Sequence, residues 1–298
     1  MLRTLAIAAA LSLLAAPATL AQPADKAAKS DDSKYLEPFP AHHVAGNIYF
    51  VGSKEQPNYL VTTSQGNILI NSGLQANVPM IKDSIARLGF KFSDTKILLI
   101  SHAHFDHDAG SAQVVKDTGA RYEVMDADLP VVQSGGKEDF NYGDKGGENI
   151  YPAVKVDRVL HDGDTVSLGG TVLTAHKTPG HTKGCTTWTT SVKDGGKTLN
   201  VVIVGSPNVN PGYVLVGNKK YPGIVQDYEK TFRVLKSLPV DIFLGAHGDY
   251  YGLEAKYAKL KPGSPNPFID APGYKAYIAN REVAFRKNLA RQQAGGKP

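Results

Sequence analysis

The run Ile97-Leu98-Leu99-Ile100-Ser101-His102-Ala103-His104-Phe105-Asp106-His107-Asp108-Ala109-Gly110 decides how the rest of the chain is read. Its first four residues are apolar without alternation, the pattern of a strand covered on both faces in a parallel sheet. His102 and His104 are two apart, so an extended backbone points both imidazoles to one side, and Asp106 and His107 follow where the chain turns toward a helix. Four potential ligands converge there, and the spacing His-x-His-x-Asp-His predicts metal binding. Asp108 is read instead as a cap on the next helix, whose free N–H groups favour a carboxylate.

Upstream of that run, residues 47–51, 59–63 and 67–71 are β-prone stretches separated by Gly-containing turns, which predicts consecutive antiparallel strands. Ile81, Ile85 and Leu88 recur at helical spacing over 78–88, and Gly89 stops that helix. Downstream, a helix over 111–118, a strand over 122–125 and a helix over 128–133 signal an α/β layer. Residues 134–153 form a glycine-rich loop, read either as a wall of a cleft carrying Phe140 and Tyr142 or as a surface excursion.

The second half repeats the scheme with more strand, at 156–160, 165–168, 171–176, 186–192 and 199–204, the last two joined by the hairpin turn Lys193-Asp194-Gly195-Gly196-Lys197. Helices are predicted over 224–238 and 274–289, with a strand over 241–244 between them. In the first of these helices Ile224, Val225, Tyr228, Phe232 and Leu235 share a face and are read as core. Two halves, each of strands followed by helices, predict an α/β (α+β) four-layer αβ/βα sandwich: two mixed sheets face to face, helices on both outer faces.

The chain of 298 residues opens with a basic tip, a short apolar stretch and Ala18-Thr19-Leu20-Ala21. These are the three parts of a secretory signal peptide, residues 1–21, so the protein is expected in the periplasm, with no membrane association after its removal. Residues 22–40 lack apolar periodicity and read as an arm, and 41–298 as a single domain. The formal net charge is +5 with scattered basic residues, which gives nucleic-acid binding no support. Cys185, the single cysteine, excludes an intramolecular disulfide and reads as a buried thiol. A monomer is expected.

Of the nine histidines, His181 and His247 lie on loops just after predicted strands, where ligands on a rigid scaffold tend to sit. His42 and His43 fall in the arm, His161 in a turn and His176 within a strand. Five histidines and one aspartate suit two zinc ions better than one, because zinc takes four ligands and a catalytic site keeps one position open. Zinc lowers the pKa of bound water toward about 7, so hydroxide is available at neutral pH without a Ser or Cys nucleophile. Ser93-Asp94-Thr95-Lys96 precedes a strand rather than opening a helix, and Gly195-Gly196-Lys197-Thr198 lacks the first glycine of a phosphate loop; neither carries function.

Taken together, His102-x-His104-x-Asp106-His107, Thr178-Pro179-Gly180-His181, Gly184-Cys185-Thr186-Thr187-Trp188 and Tyr221-Pro222-Gly223-Ile224 resemble the metallo-β-lactamase superfamily, and within it the subclass B3 enzymes. Other branches place a bridging aspartate or a cysteine where this chain has Gly205-Ser206. The resemblance implies that His102, His104 and His181 hold a first zinc and Asp106, His107 and His247 a second. It implies that Asp106 orients a zinc-bound hydroxide for attack on a small-molecule β-lactam (penicillin, cephalosporin or carbapenem), and that Ser206 orients the second-site water or the substrate carboxylate. Where the family often has a further hydroxyl residue just after that serine, this chain has Pro207-Asn208-Val209, and Asn208 is the candidate substitute in substrate binding. Another hydrolase of the same fold, acting on a lactone, thioester or phosphoester, and a zinc-binding protein without turnover are the alternatives.

Overall fold

Strand residues 97–100 lack alternation because their sheet is covered on both sides. The computed structural model describes residues 32–298, of which 33–298 cluster into one compact unit. The expected signal peptide over 1–21 and most of the expected arm over 22–40 lie outside the described residues.

The first sheet contains β1 (His42–Ala45), β2 (Ile48–Phe50), β3 (Tyr59–Thr63), β4 (Gly66–Ile70), β5 (Thr95–Leu99), β6 (Arg121–Met125) and β7 (Arg158–Leu160), side by side in that order. β1 to β4 meander antiparallel, and β4 to β7 run parallel. The second sheet contains β8 (Thr165–Leu168), β9 (Thr171–Lys177), β10 (Thr186–Asp194), β11 (Lys197–Val204) and β12 (Ile242–Gly245), antiparallel except for the pair β11/β12. In the β10–β11 hairpin Asp194 pairs with Lys197, and both turn residues, Gly195 and Gly196, have positive φ as a two-residue primed turn requires.

Alternation along the strands decides the layers. Leu60, Leu69 and Leu98 point outward into a cluster with Val78, Ile81 and Ile85 of α1 (Val78–Arg87) and Val114. Tyr59, Ile68, Ile70, Ile97 and Leu99 point inward, into the cluster that holds Leu173, Trp188 and Ile203 of the second sheet. Both faces of the first sheet are therefore dry, and truncating the fully buried Leu98 to Ala should cost about 2–5 kcal/mol. Beyond β5 come α2 (Phe105–Asp108), α3 (Ser111–Thr118) and α4 (Leu129–Ser134). The opposite outer layer holds α5 (Ile224–Ser237), whose Tyr228, Phe232 and Leu235 are buried, the short α6 (Leu253–Tyr257) and α7 (Ala271–Gln293). The sandwich is the one the sequence predicts.

Several local expectations are corrected. Asp108 does not cap α3, whose N terminus has no side-chain cap. Its carboxylate is fully buried and accepts the hydroxyl of Tyr122, because α2 ends two residues before α3 and turns Asp108 inward. His42 belongs to β1 rather than to the arm, and Phe140 packs against Tyr213 and Tyr221 in the core rather than on a cleft wall. α7 begins three residues earlier than predicted, at Ala271: Asp270 accepts the Gly273 N–H at 2.9 Å, and Pro272 sits in the first turn, where a missing N–H costs nothing. Among the described residues no helix is long and apolar enough to cross a membrane.

Candidate metal centre

The six side chains singled out in the sequence arrive from three strand ends of two sheets. β5 delivers His102 and His104, α2 delivers Asp106 and His107, the loop between β9 and β10 delivers His181, and the turn after β12 delivers His247. The β5 end is held from below by Asn71, a left-handed residue (φ 65°) whose side-chain oxygen accepts the Ser101 N–H at 2.7 Å. The second sheet is tied to the same point: Trp188 Nε1 donates to Ile100 O at 3.0 Å and Thr186 N to Ser101 O at 2.7 Å. At Gly180 φ is 127°, and a Cβ would lie 2.8 Å from the Tyr228 ring, so only glycine lets the chain present His181 here.

His102, His104 and His181 each offer a ring nitrogen, and these atoms lie within 4.8 Å of one another. His181 Nδ1 faces the Asn208 carbonyl at 2.9 Å. A carbonyl only accepts, so the proton sits on Nδ1 and the Nε2 lone pair is free for a metal. His104 Nε2 faces the Asp139 carboxylate at 3.5 Å, which by the same logic leaves Nδ1 as its donor atom. His102 keeps a buried Nε2 with no hydrogen-bond partner.

The second group is tighter. Asp106 Oδ2 is 3.3 Å from His107 Nε2 and 3.5 Å from His247 Nε2, and the two nitrogens are 3.2 Å apart. Ligands about 2.0–2.1 Å from a tetrahedral zinc stand about 3.4 Å from one another, so this triangle matches one face of such a site. Imidazole and carboxylate donors are a set that zinc accepts. The orphaned, buried His102 Nε2 is the kind of atom that costs stability unless something occupies the space between the rings.

Electrostatics favour the ligand forms of His102, His181, His107 and Asp106 and oppose that of His104. Burial, with the neighbouring histidines, pushes His102 and His181 well below the ordinary imidazole value, and burial pushes His107 down to about 3. These rings are neutral at pH 7. Burial also works against charge on His104, but the Asp139 hydrogen bond and charge hold its pKa above the ordinary value. Burial opposes the Asp106 charge, yet His107, His247 and His104 hold its carboxyl at about 2, so it is ionised.

Several supporting groups carry no motif. Asp128 is fully buried; it accepts Ala103 N at 2.9 Å, Thr182 Oγ1 at 2.8 Å and Gly184 N at 2.7 Å, joining the loop of His102 to that of His181. Asp139 accepts Asn141 N at 2.8 Å and Tyr142 N at 2.6 Å, which pins the glycine-rich loop over His104. Tyr142 meets the His104 ring edge-on at 5.1 Å. Gln56 Nε2 donates to Asp106 Oδ2 at 2.9 Å. Tyr142 is the aromatic residue that the cleft-wall reading of the loop names; no pattern in the sequence marks Gln56, Asp128 or Asp139, which only burial of a polar group beside the histidines reveals.

The remaining candidates lie as follows. Ser206 is 1% exposed and shares a hydrogen bond with Tyr250 Oη at 3.0 Å. Asn208 turns its carbonyl to His181 and to Tyr228 Oη, at 2.9 and 2.7 Å. Cys185 is buried beneath this layer, with its thiol pKa raised by burial. His43 and His161 are exposed, and His176 bonds Thr189 at 2.8 Å on the second sheet.

A four-layer sandwich of two halves with a histidine- and aspartate-lined centre at their strand ends defines a metal-dependent hydrolase class, and the chain belongs to the metallo-beta-lactamase superfamily, whose match spans residues 54–247. Within it the chain is similar to subclass B3 enzymes. Native FEZ-1 metallo-beta-lactamase from Legionella gormanii is 55% identical, with 86% of this chain and 98% of that chain covered and a TM-score of 0.85. BJP-1, a subclass B3 enzyme of Bradyrhizobium japonicum, is 42% identical over 88% of this chain and 98% of its own, with a TM-score of 0.83. The class B3 di-zinc enzyme LRA-12 from an Alaskan soil metagenome is 35% identical over 86% and 97%, at 0.81.

Proposed function

We propose that the protein is a zinc-dependent β-lactamase that opens the lactam ring of penicillins, cephalosporins and carbapenems. One observation carries the reading: the triad His102, His104, His181 and the triangle Asp106, His107, His247 face one volume, in a chain 55% identical to a metallo-β-lactamase. The triad would hold the first zinc and the triangle the second. Bound zinc supplies a nucleophilic hydroxide at neutral pH and a Lewis acid for the lactam carbonyl.

The chain's own groups do the rest. Asp106, ionised at neutral pH, accepts a hydrogen bond from the attacking oxygen and turns its lone pair toward the carbonyl carbon. Asn208 and Asp139 hold His181 and His104 in the tautomers that leave a lone pair facing the centre. Tyr142, beside His104, lines the approach for the substrate's apolar portion. The oxygen of one water forms a bond to the carbonyl carbon, the carbon–nitrogen bond breaks, the ring nitrogen takes one proton and the other passes to solvent, giving a carboxylate and an amine. Ser206, hydrogen-bonded to Tyr250, would orient the second-site water or the substrate carboxylate, and Asn208, whose carbonyl holds His181, would join it in binding the substrate. Export to the periplasm through residues 1–21 and a monomeric, single-domain catalytic unit over 41–298 complete the reading.

The test is hydrolysis of one penicillin, one cephalosporin and one carbapenem by the purified protein, before and after chelation and after zinc is restored. Turnover lost to the chelator and recovered with zinc is expected. Absence of β-lactam turnover at every zinc concentration, with turnover of a lactone, thioester or phosphoester instead, would move the protein to another branch of the superfamily.

A further inference from the structure

The two halves of the metal centre are supported in opposite ways, and the difference lies in Gln56. In the first half each polarised histidine faces an acceptor: Asn208 O for His181 and the Asp139 carboxylate for His104. In the second half the atom behind His247 Nδ1 is an amide nitrogen, Gln56 Nε2, at 3.4 Å, which also lies 2.9 Å from Asp106 Oδ2.

Gln56 cannot leave this position cheaply. It is 1% exposed, in a tight loop closed by Ser53 N to Gln56 O at 3.0 Å, Gln56 N to Ser53 Oγ at 3.1 Å and Val51 N to Asn58 O at 2.9 Å. The chain crosses itself so closely that a Cβ on Gly52 would stand 2.2 Å from Gln56 O. The other amide atom, Oε1, is buried without a partner.

Resting on the assignment of Asp106, His107 and His247 to a second zinc, we propose that Gln56 weakens that site and makes its ion the exchangeable one of the pair. To ligate through Nε2, His247 must carry its ring proton on Nδ1, which then meets the Gln56 N–H, donor against donor. Turning the amide end for end brings its oxygen to the Nδ1 proton but sets it against the Asp106 carboxylate, acceptor against acceptor. No orientation of the amide suits both neighbours while His247 ligates through Nε2. With the His247 proton on Nε2 instead, 3.5 Å from Asp106 Oδ2, both contacts of the amide nitrogen are matched, and a ring protonated there cannot ligate through Nε2. The amide N–H also competes for the one carboxylate oxygen that faces His107 and His247.

The experiment is stepwise zinc titration of the full protein against a chromophoric chelator, with Co(II) absorption read in parallel, for wild type, Gln56→Leu and Gln56→Met. The methionine variant keeps the length of the side chain and removes only the amide, which covers a leucine variant that fails to fold. Removal of the amide should tighten the second step about tenfold or more, the scale of changes around metal ligands, and leave the first step within about twofold. A second step unchanged or weakened in both variants overturns the proposal and makes Gln56 a support for Asp106. A wild-type protein that takes up a single ion at saturation overturns the two-metal assignment itself, an outcome the wild-type titration alone reveals.

Discussion

Two regions of the molecule bury histidine, and they do so to opposite ends. His42, on β1, is 7% exposed and lies between the rings of Phe50 and Phe268, stacked at 5.0 and 5.6 Å, with Phe39 and Tyr257 closing the sides. Its Nδ1 donates to Pro40 O at 2.8 Å, and its other neighbours are flat and apolar. At the centre, His102, His104, His107 and His181 are as deeply buried but face one another and a carboxylate, with ring separations of 4.2–4.8 Å. Burial lowers the pKa of His42, His102 and His181 alike. A low pKa is therefore no mark of a metal site. Convergence of several ring nitrogens on one another and on a carboxylate is.

The strongest way to break that contrast is to remove one ring from each region. His181→Ala should lower β-lactam turnover by about 10³-fold or more, because the Lewis acid contributes several kcal/mol to the barrier, and reduce bound zinc toward one per chain. His42→Leu should leave both quantities unchanged. Steady-state kinetics and metal analysis of the two folded variants check this. Full activity in His181→Ala, or loss of zinc in His42→Leu, would collapse the distinction.

The same contrast explains what could be read in the sequence. The sandwich was legible because its strands and helices carry the right periods: continuous apolar residues in β5, the 3.6-residue stripe in α5 and paired glycines between β10 and β11. Six chemically unusual side chains could be picked out because four of them crowd into six positions and the other two follow strands. What was illegible lacks local pattern. His42 looked like part of an arm, since its value lies in Phe268, which is more than 200 positions away and stacks on it. Asp108 looked like a cap, because nothing local shows that Tyr122 will bury it. Gln56 and Asp139 in loops, and Asp128 at the entry to a helix, are ordinary polar residues until the fold sets them beside the metal-binding segment.

Acid sharpens the comparison at intermediate size. Burial pushes the His42 pKa from 6.5 down to about 4 in the folded protein, against the Pro40 carbonyl hydrogen bond and with a smaller push from His43. Between those values the unfolded chain binds a proton that the folded one refuses, so stability falls as pH drops from about 6.5 to about 4 and this contribution changes no further below that. The loss is about 3 kcal/mol for this residue. Chemical denaturation of metal-stripped wild type and His42→Leu across that window should give curves that diverge by this amount, with the variant flatter. Parallel curves would mean that the aromatic cage admits a proton and does not exclude charge.

The smallest effect tests whether acceptors behind the rings matter as much as the rings. Asp139 has two oxygens with two tasks: Oδ1 takes the N–H groups of Asn141 and Tyr142, and Oδ2 faces His104 Nε2. Asparagine keeps the shape but has only one acceptor, so Asp139→Asn either frees the loop or turns an N–H toward His104, where it repels the proton that leaves Nδ1 free to ligate. The first zinc should bind about tenfold more weakly, about 1.4 kcal/mol, while the second step stays near wild type. Hydrogen exchange at the amides of 141 and 142 reports which of the two losses the chain accepts. Faster exchange means the loop was released; unchanged exchange with weaker zinc means the tautomer was disturbed. If neither exchange nor first-step affinity changes, the carboxylate behind His104 is ornament, and the boundary between the two kinds of buried histidine has to be drawn by the ligand rings alone.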